Sequence, residues 1–267
     1  MKSVFTTLLY HDVLDGTDAD ASGFVGPGPA AYKLSAVDFH EHLNAVVSSA
    51  QKSRREFYCS SEFGVINPPP VLLTFDDGGS SAHTIVAPML EARGLRAYFF
   101  ITTRMIGQPG FMNSDQIRDL SSRGHVIGSH SASHPKRISN CSESELTTEW
   151  GESIEVLSEL LDQRIDIASI PGGFYSRRVA AAAGKSGIRI LFTSEPVQRT
   201  TRVNDVTLIG RFSVKRGDPA GFPAKIVSGR LSQRLWQYIH WNTKKITKQL
   251  AGPIYQSVRD RYLSRKS

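Results

Sequence analysis

Short apolar runs alternate with segments whose apolar residues recur at helical spacing along most of the chain. VFTTLLYH, residues 4–11, predicts a buried strand, and Ser35-Ala-Val-Asp38 has capping-box form ahead of Phe39, Leu43 and Val46/Val47. Pro68-Pro69-Pro70 stops whatever precedes it, since none of the three can donate a backbone hydrogen bond. Val71–Phe75 then reads as a strand running straight into Asp76-Asp77-Gly78-Gly79. A helix is predicted from about His83 to Arg93 with Gly94 as its stop, then a strand over Ala97–Thr102 and a helix from Ser114 to near Gly124. His125–Ser129 predicts a strand, and Ser142-x-x-Glu145 caps a long helix bearing Leu146, Trp150, Ile154, Leu157 and Leu161. Strands over Ile165–Ile170 and Ile188–Thr193 flank an Ala-rich helix, Ser176–Lys185.

This alternation predicts an α/β fold with a mainly parallel sheet covered by helices. No internal repeat is visible and no linker divides the body, so Gly23–Pro29 reads as a loop within the domain. In such folds the chemistry collects where strands end. Three strand ends carry unusual polar groups: His11-Asp12, Asp76-Asp77 and His130-Ser-Ala-Ser-His134. The remaining histidines invite blander readings. His125 is expected in the core, His83 in a surface role at a helix start, and His40 and His42 solvated on an exposed helix face.

Composition adds limits. In 267 residues, 40% are hydrophobic and 21% charged, which excludes a disordered chain. No window approaches the ~18 unbroken apolar residues of a membrane-spanning helix. The apolar run after Met1 is short and lacks a small-residue cleavage site, so a cytoplasmic protein is expected. Cys59 and Cys141 fit a reducing compartment, form no metal-spaced pair, and read as inert. The placement of charge changes the picture more. Residues 225–267 hold ten basic residues against one acid, a net +9, whereas the other 224 residues carry 22 basic against 24 acidic, a net −2. The body is therefore not a basic protein, which argues against nucleic-acid binding. Two regions are expected: residues 1–224 as the α/β body and 225–267 as a basic helical extension. On a helical wheel of that extension, Leu231, Leu235, Ile239, Ile246 and Leu250 share one arc opposite Arg234, Lys244, Lys245 and Lys248. Trp241 falls among the basic residues and Trp236 at the apolar margin. That is the pattern of an interfacial membrane helix, and also of a helix packed on the body with a solvated basic face.

Adjacent aspartates after a buried strand repel unless a cation compensates them. Two imidazoles four residues apart can converge on one ion. Two histidine nitrogens and one carboxylate oxygen make a three-ligand set with positions left open, the pattern of a catalytic metal site. Zn²⁺ suits it best, and Co²⁺, Ni²⁺ or Fe²⁺ are also admitted.

Here the sequence resembles the NodB-type polysaccharide deacetylases, carbohydrate esterase family four. Thr74-Phe-Asp-Asp-Gly78 is similar to their first motif, His130-Ser-Ala-Ser-His134 to the second, H-[ST]-x-x-H, and Ser169-Ile-Pro-Gly-Gly173 to the third, R-x-P-x-G. The resemblance spans roughly residues 1–215 and implies a distorted (β/α) barrel. It implies Asp77, His130 and His134 as ligands of one divalent ion, Asp76 as general base, and the Gly172 N–H, beside Pro171, as an oxyanion donor. The third motif carries Ser169 where the family has an arginine that orients the base, and Arg211 in Ile209-Gly-Arg-Phe212 is the candidate to replace it. The family's C-terminal histidine motif has no match, since only His240 follows His134. Leu9-Tyr10-His11-Asp12-Val13 resembles instead the N-terminal motif of the PgaB-type exopolysaccharide deacetylases, whose motif order is permuted, which implies His11 as general acid with His240 as the other candidate. Glu195, in Ser194-Glu195-Pro196, is a candidate to line the pocket.

The expected activity is metal-dependent N-deacetylation of a poly- or oligosaccharide, with a lipid-linked exopolysaccharide precursor as one substrate. Hydrolysis of a small non-sugar amide or formyl group, and an inactive carbohydrate-binding role, are the alternatives. The expected partners are a carbohydrate and, through 225–267, the inner face of a membrane.

Overall fold

A computed structural model describes residues 3–64 and 66–230, together with 234, 235, 237–239, 242 and 243. The chain opens with β1 (Thr6–Tyr10), β2 (Val13–Leu14), a single helical turn α1 (Pro27–Ala30), β3 (Leu34–Ser35) and α2 (Ala36–Lys52). Then come β4 (Val71–Phe75), a π-helical turn over Ala82–Val86 running into α3 (Ala87–Glu91), β5 (Tyr98–Ile101), α4 (Ser114–Ser122), β6 (Val126–Ser129) and α5 (Glu143–Leu161). The rest comprises β7 (Ile167–Ser169), α6 (Arg177–Lys185), β8 (Ile190–Phe192), β9 (Thr201–Val203), β10 (Val206–Ile209), β11 (Phe212–Ser213) and α7 (Gly221–Val227).

The helix starts follow from capping. Ser35 Oγ accepts the Asp38 N–H of α2, Ser176 Oγ accepts the Val179 N–H of α6, and Ser142 with Glu145 forms a reciprocal capping box on α5. The helix expected over 83–93 is interrupted. Pro88 has no N–H for the Thr84 carbonyl, and the turn before it widens so that the Ala87 N–H reaches Ala82 O.

Nine strands form one sheet in the order β11-β1-β4-β5-β6-β7-β8-β10-β9, parallel throughout except for the β9–β10 hairpin. An antiparallel bridge, Val4 to Arg199, draws the two ends of this order toward each other, which makes the sheet a distorted barrel. One cluster, Phe5, Leu72, Tyr98, Phe100, Ile167, Phe192 and Ile209, consists of strand-side residues and fills the interior. Outside it, α2, α3, α4 and α7 cover one part of the sheet and α5 and α6 another. Because side chains alternate along a strand, the inward positions Leu72, Ile167 and Ile209 place Thr74, Ser169 and Arg211 on the same inward side. The parallel β1–β4 register runs from Thr6↔Val71 to Tyr10↔Phe75, so His11 and Asp76 emerge side by side.

One expectation is corrected: His42 is not solvated. It is 1% exposed, and its Nε2 lies 2.9 Å from Asp218 O. The cause is long-range, since α7 packs across α2 with Ile226 and Val227 buried, and Ser49 Oγ of α2 donates to Ala224 O. His40 is exposed, as expected. Helix α7 itself runs across the boundary expected between residues 224 and 225. Of the extension beyond it, Arg234 donates to Ile226 O at 2.6 and 3.1 Å and to Gln198 Oε1, while Leu235, Tyr238 and Ile239 are 57%, 47% and 54% exposed. Leu231, Trp236, His240, Trp241, Lys244, Lys245, Ile246, Lys248 and Leu250 lie outside the described residues.

Candidate active site

Asp76 follows β4 on its inward side and meets Arg211 there. Arg211 Nη1 and Nη2 donate to the two carboxylate oxygens at 2.7 and 2.8 Å, and the side chains are 0% and 3% exposed. The guanidinium is held from behind by Thr193 O, at 3.0 Å from Nε, and lies over the rings of Phe100 and Phe192. Burial is the strongest influence on Asp76 and pushes its carboxyl up. Arg211, followed by His130 and His11, outweighs burial and holds the group below the usual carboxylate range. Arg211 thus makes the bidentate contact to Asp76 that a serine at position 169 cannot make. Ser169 has a different one: its Oγ donates to Asp76 Oδ1 at 3.1 Å and lies 2.5 Å from His130 Nδ1.

Asp77, His130 and His134 each offer a ligand atom, all within 4.8 Å of one another. His130 Nε2 is 3.4 Å and His134 Nε2 3.7 Å from Asp77 Oδ1. The donor set fits a divalent ion of the zinc type. A ligating tautomer is available as well: with Ser169 Oγ donating to Asp76, the His130 Nδ1–H can donate to Ser169, which would leave the Nε2 lone pair for an ion in place of the hydrogen bond to Asp77. Burial pushes the Asp77 carboxyl up, but the His130 hydrogen bond and the charges of His11 and His134 bring it well below the usual range. Burial likewise pushes His134 below the usual imidazole range, against the pull of Asp77. Three of these positions take left-handed backbone: Asp77 at φ 78°, Ser131 at φ 63° and His134 at φ 54°. Such conformations persist where the surroundings impose them.

For the His130–His134 loop, the surroundings are α5. Glu149, buried on the face of Leu146, Trp150, Ser153 and Leu157, accepts the Ser133 N–H at 2.9 Å and the Ser133 hydroxyl at 2.5 Å. Ser153 lies 2.5 Å from Ser129, just before His130. The sequence reading missed Glu149, although an acid inside the apolar stripe of a helix is a legible sign.

His11 stands at the rim, its ring 4.8 Å from that of Tyr32 and close enough for its charge to act on both aspartates. Pro171 is buried, and Gly172 is exposed at φ 61°, the left-handed turn of a short 3₁₀ segment. Glu195 is half-buried at the end of β8; its carbonyl accepts the Arg211 N–H at 2.9 Å, and its charge reaches Tyr175. Two histidines match their bland readings. His125 is buried against Glu91, and His83 is partly exposed and bonded to Asp119. Burial pushes the Cys59 thiol up to about 12, which makes it a poor nucleophile.

Residues 65–191 match the family model described as polysaccharide deacetylase, a span that holds Asp76, Asp77, His130, His134 and Ser169 but not His11 or Arg211. YxkH of Bacillus subtilis (strain 168) is 28% identical over 126 residues, which is 47% of this chain and 45% of that protein. The peptidoglycan-N-acetylglucosamine deacetylase of Bacillus cereus is 29% identical over 106 residues, 39% of this chain and 37% of that protein. The chain thus spans less than half the length of these curated relatives. In three dimensions it is similar to the Streptococcus pyogenes deacetylase PplD, solved in complex with acetate, with a TM-score of 0.67, 17% identity, and coverage of 83% of this chain and 96% of that one. The distorted (β/α) barrel expected from the sequence is the fold the two share. The chain is thus similar in sequence to polysaccharide deacetylases over residues 65–191, and in fold to a solved deacetylase over most of its length.

Proposed function

We propose that the protein is a metal-dependent hydrolase that removes N-acetyl groups from a poly- or oligosaccharide containing amino sugars. The observation that carries this reading is the convergence of Asp77, His130 and His134 beside a second carboxylate that Arg211 keeps ionised. A divalent ion held by the three ligands, zinc by preference, would supply Lewis acidity toward the acetamide carbonyl and the attacking water. Asp76 takes the proton from that water, and Arg211 and Ser169 fix the plane of its carboxylate. The Gly172 N–H, beside Pro171, is offered to the developing oxyanion. His11 gives a proton to the leaving amine, so that water and the N-acetyl sugar become acetate and a free amino sugar. Glu195 is the further candidate to border the pocket, while Arg211, fully buried, acts through Asp76.

Emergence of His11 beside Asp76 supports the PgaB-type reading, because it supplies an acid without the C-terminal segment. The same proposal puts the protein in the cytoplasm, peripheral to the inner face of the membrane and acting on a lipid-linked exopolysaccharide precursor. Exposed Leu235, Tyr238 and Ile239 within a segment of net charge +9 support the membrane contact.

The test is acetate release from N-acetylated oligosaccharides, with and without a chelator, by the wild-type chain and by Asp77→Ala. Release is expected from the wild type only, reversibly lost to the chelator, with bound metal missing from the variant. Full metal content and undiminished release in Asp77→Ala would overturn the ligand assignment.

A further inference from the structure

The excursion between β2 and β3 ends on a buried lysine. Lys33 is 2% exposed, and its ammonium donates to the carbonyls of Ala19, Ser22 and Phe24 at 2.7, 2.5 and 2.6 Å. Among the described residues no carboxylate lies within ion-pair distance of it. A buried ammonium is costly unless every hydrogen is bonded, and here all three bonds go to the backbone of one loop. What the charge fixes is the shape of that loop.

The same loop is pinned from beneath. Asp12 Oδ1 accepts from the hydroxyls of Ser22 at 2.6 Å and Ser81 at 2.9 Å, and the Gly23 N–H donates to Gly110 O at 2.8 Å. At Gly23, with φ +68°, a Cβ would stand 2.0 Å from Asp12 Oδ2, so only glycine lets the loop sit this low. The brace carries two rings to the site. The Phe24 ring lies 4.8 Å from that of His134, and the Tyr32 ring lies 4.8 Å from that of His11. Both aromatic residues are half-buried, so each covers a site histidine and keeps surface open. Lys215 Nζ stands 5.3 Å from the Tyr32 ring and steadies it.

A pyranose ring presents a face of C–H bonds with hydroxyls around its rim, and the electron-rich face of an aromatic ring is its natural partner. We propose that residues 19–32 form a preset sugar-binding wall, with Phe24 and Tyr32 as the rings against which the saccharide packs and Lys33 as the positioning residue that holds the wall in shape. The proposal rests on the deacetylase reading and adds to it the residues that select a sugar over a small amide.

The test is calorimetric titration of the full chain with a β-linked N-acetylglucosamine tetramer, followed by acetate release from the same tetramer. Phe24→Leu and Tyr32→Leu are each expected to weaken binding about tenfold, equivalent to about 1.4 kcal/mol, with the kinetic loss carried by KM more than by kcat. Tyr32→Phe, which keeps the ring, restores the wild-type constant. Lys33→Met is expected to weaken binding at least as much and to speed amide exchange across 19–26, while β4 and β6 stay protected. If Lys33→Met does not fold, the two ring variants decide the matter alone. A tetramer that the wild type does not bind, or binds with the same constant in both ring variants, overturns the wall. Binding that depends on the rings without acetate release overturns the deacetylase reading and leaves the wall standing.

Discussion

Replacing Arg211 with methionine tests the electrostatic centre of the site. The side chain keeps apolar volume against Phe100 and Phe192 but loses both contacts to Asp76 and the bond to Thr193 O. Asp76 keeps the Ser169 hydroxyl as its hydrogen-bond donor. Removing one partner of a buried, bidentate pair typically costs about 3–5 kcal/mol, because a charge is left uncompensated. At about 2–4 °C per kcal/mol for a chain of roughly this size, the melting temperature should fall by about 6–20 °C. The double variant Asp76→Asn/Arg211→Met removes both charges and should be more stable than Arg211→Met alone, a non-additivity that a double-mutant cycle measures directly. Burial pushes Asp76 up and Arg211 opposes it, so without Arg211 the base holds its proton to higher pH. The acid limb of kcat/KM should move upward accordingly. Arg211→Lys should lie between, since an ammonium cannot make two parallel contacts. A cost below about 1 kcal/mol with additive double-variant losses, or an unmoved acid limb, would refute the reasoning.

Four further outcomes are expected. His11→Ala should lower kcat by about 10²–10⁴-fold and remove the alkaline limb of the pH profile, because an acid must be protonated to act; wild-type turnover with that limb intact would pass the role to another residue, His240 first. Glu149→Leu should weaken metal affinity, read by competition with a chelating dye, by about 10–100-fold, the usual effect of removing a group that orients a ligand. Glu149→Gln, still able to bond Ser133, should lose much less. His125 is pulled down by burial and accepts the Ala97 N–H on Nδ1, so the folded chain keeps it neutral while the unfolded chain protonates near pH 6.5. Its stabilisation is complete above that pH and drains away below it, and thermal unfolding of His125→Asn, which keeps an acceptor for Ala97, should depend less on pH between 5 and 7. The full chain should bind anionic vesicles at low salt and release at high salt, whereas a chain ending at residue 234 should not bind; equal binding to neutral vesicles would remove the membrane reading.

The sequence alone was enough for the alternation of strands and helices, because each element's signal is local. The Ser35, Ser142 and Ser176 caps and the apolar runs all lie within one element. Through the resemblance of two short motifs it also pointed to the candidate cluster, since Asp76 and Asp77 follow one strand and His130 and His134 share one short loop. Local periodicity could not show which faces would be covered twice. That is why His42, polar on an apparently exposed helix face, ends beneath α7, nearly two hundred residues later in the chain. The sequence offered Arg211 as a candidate partner of Asp76 but could not show that the two meet. Arg211 lies 135 positions from Asp76, and only the curl of the sheet brings the end of β10 opposite the end of β4. The Lys33 brace and the Glu149 contact are likewise tertiary, for a buried charge is stable only where a fold assembles its hydrogen-bond partners, and those partners are not neighbours in sequence.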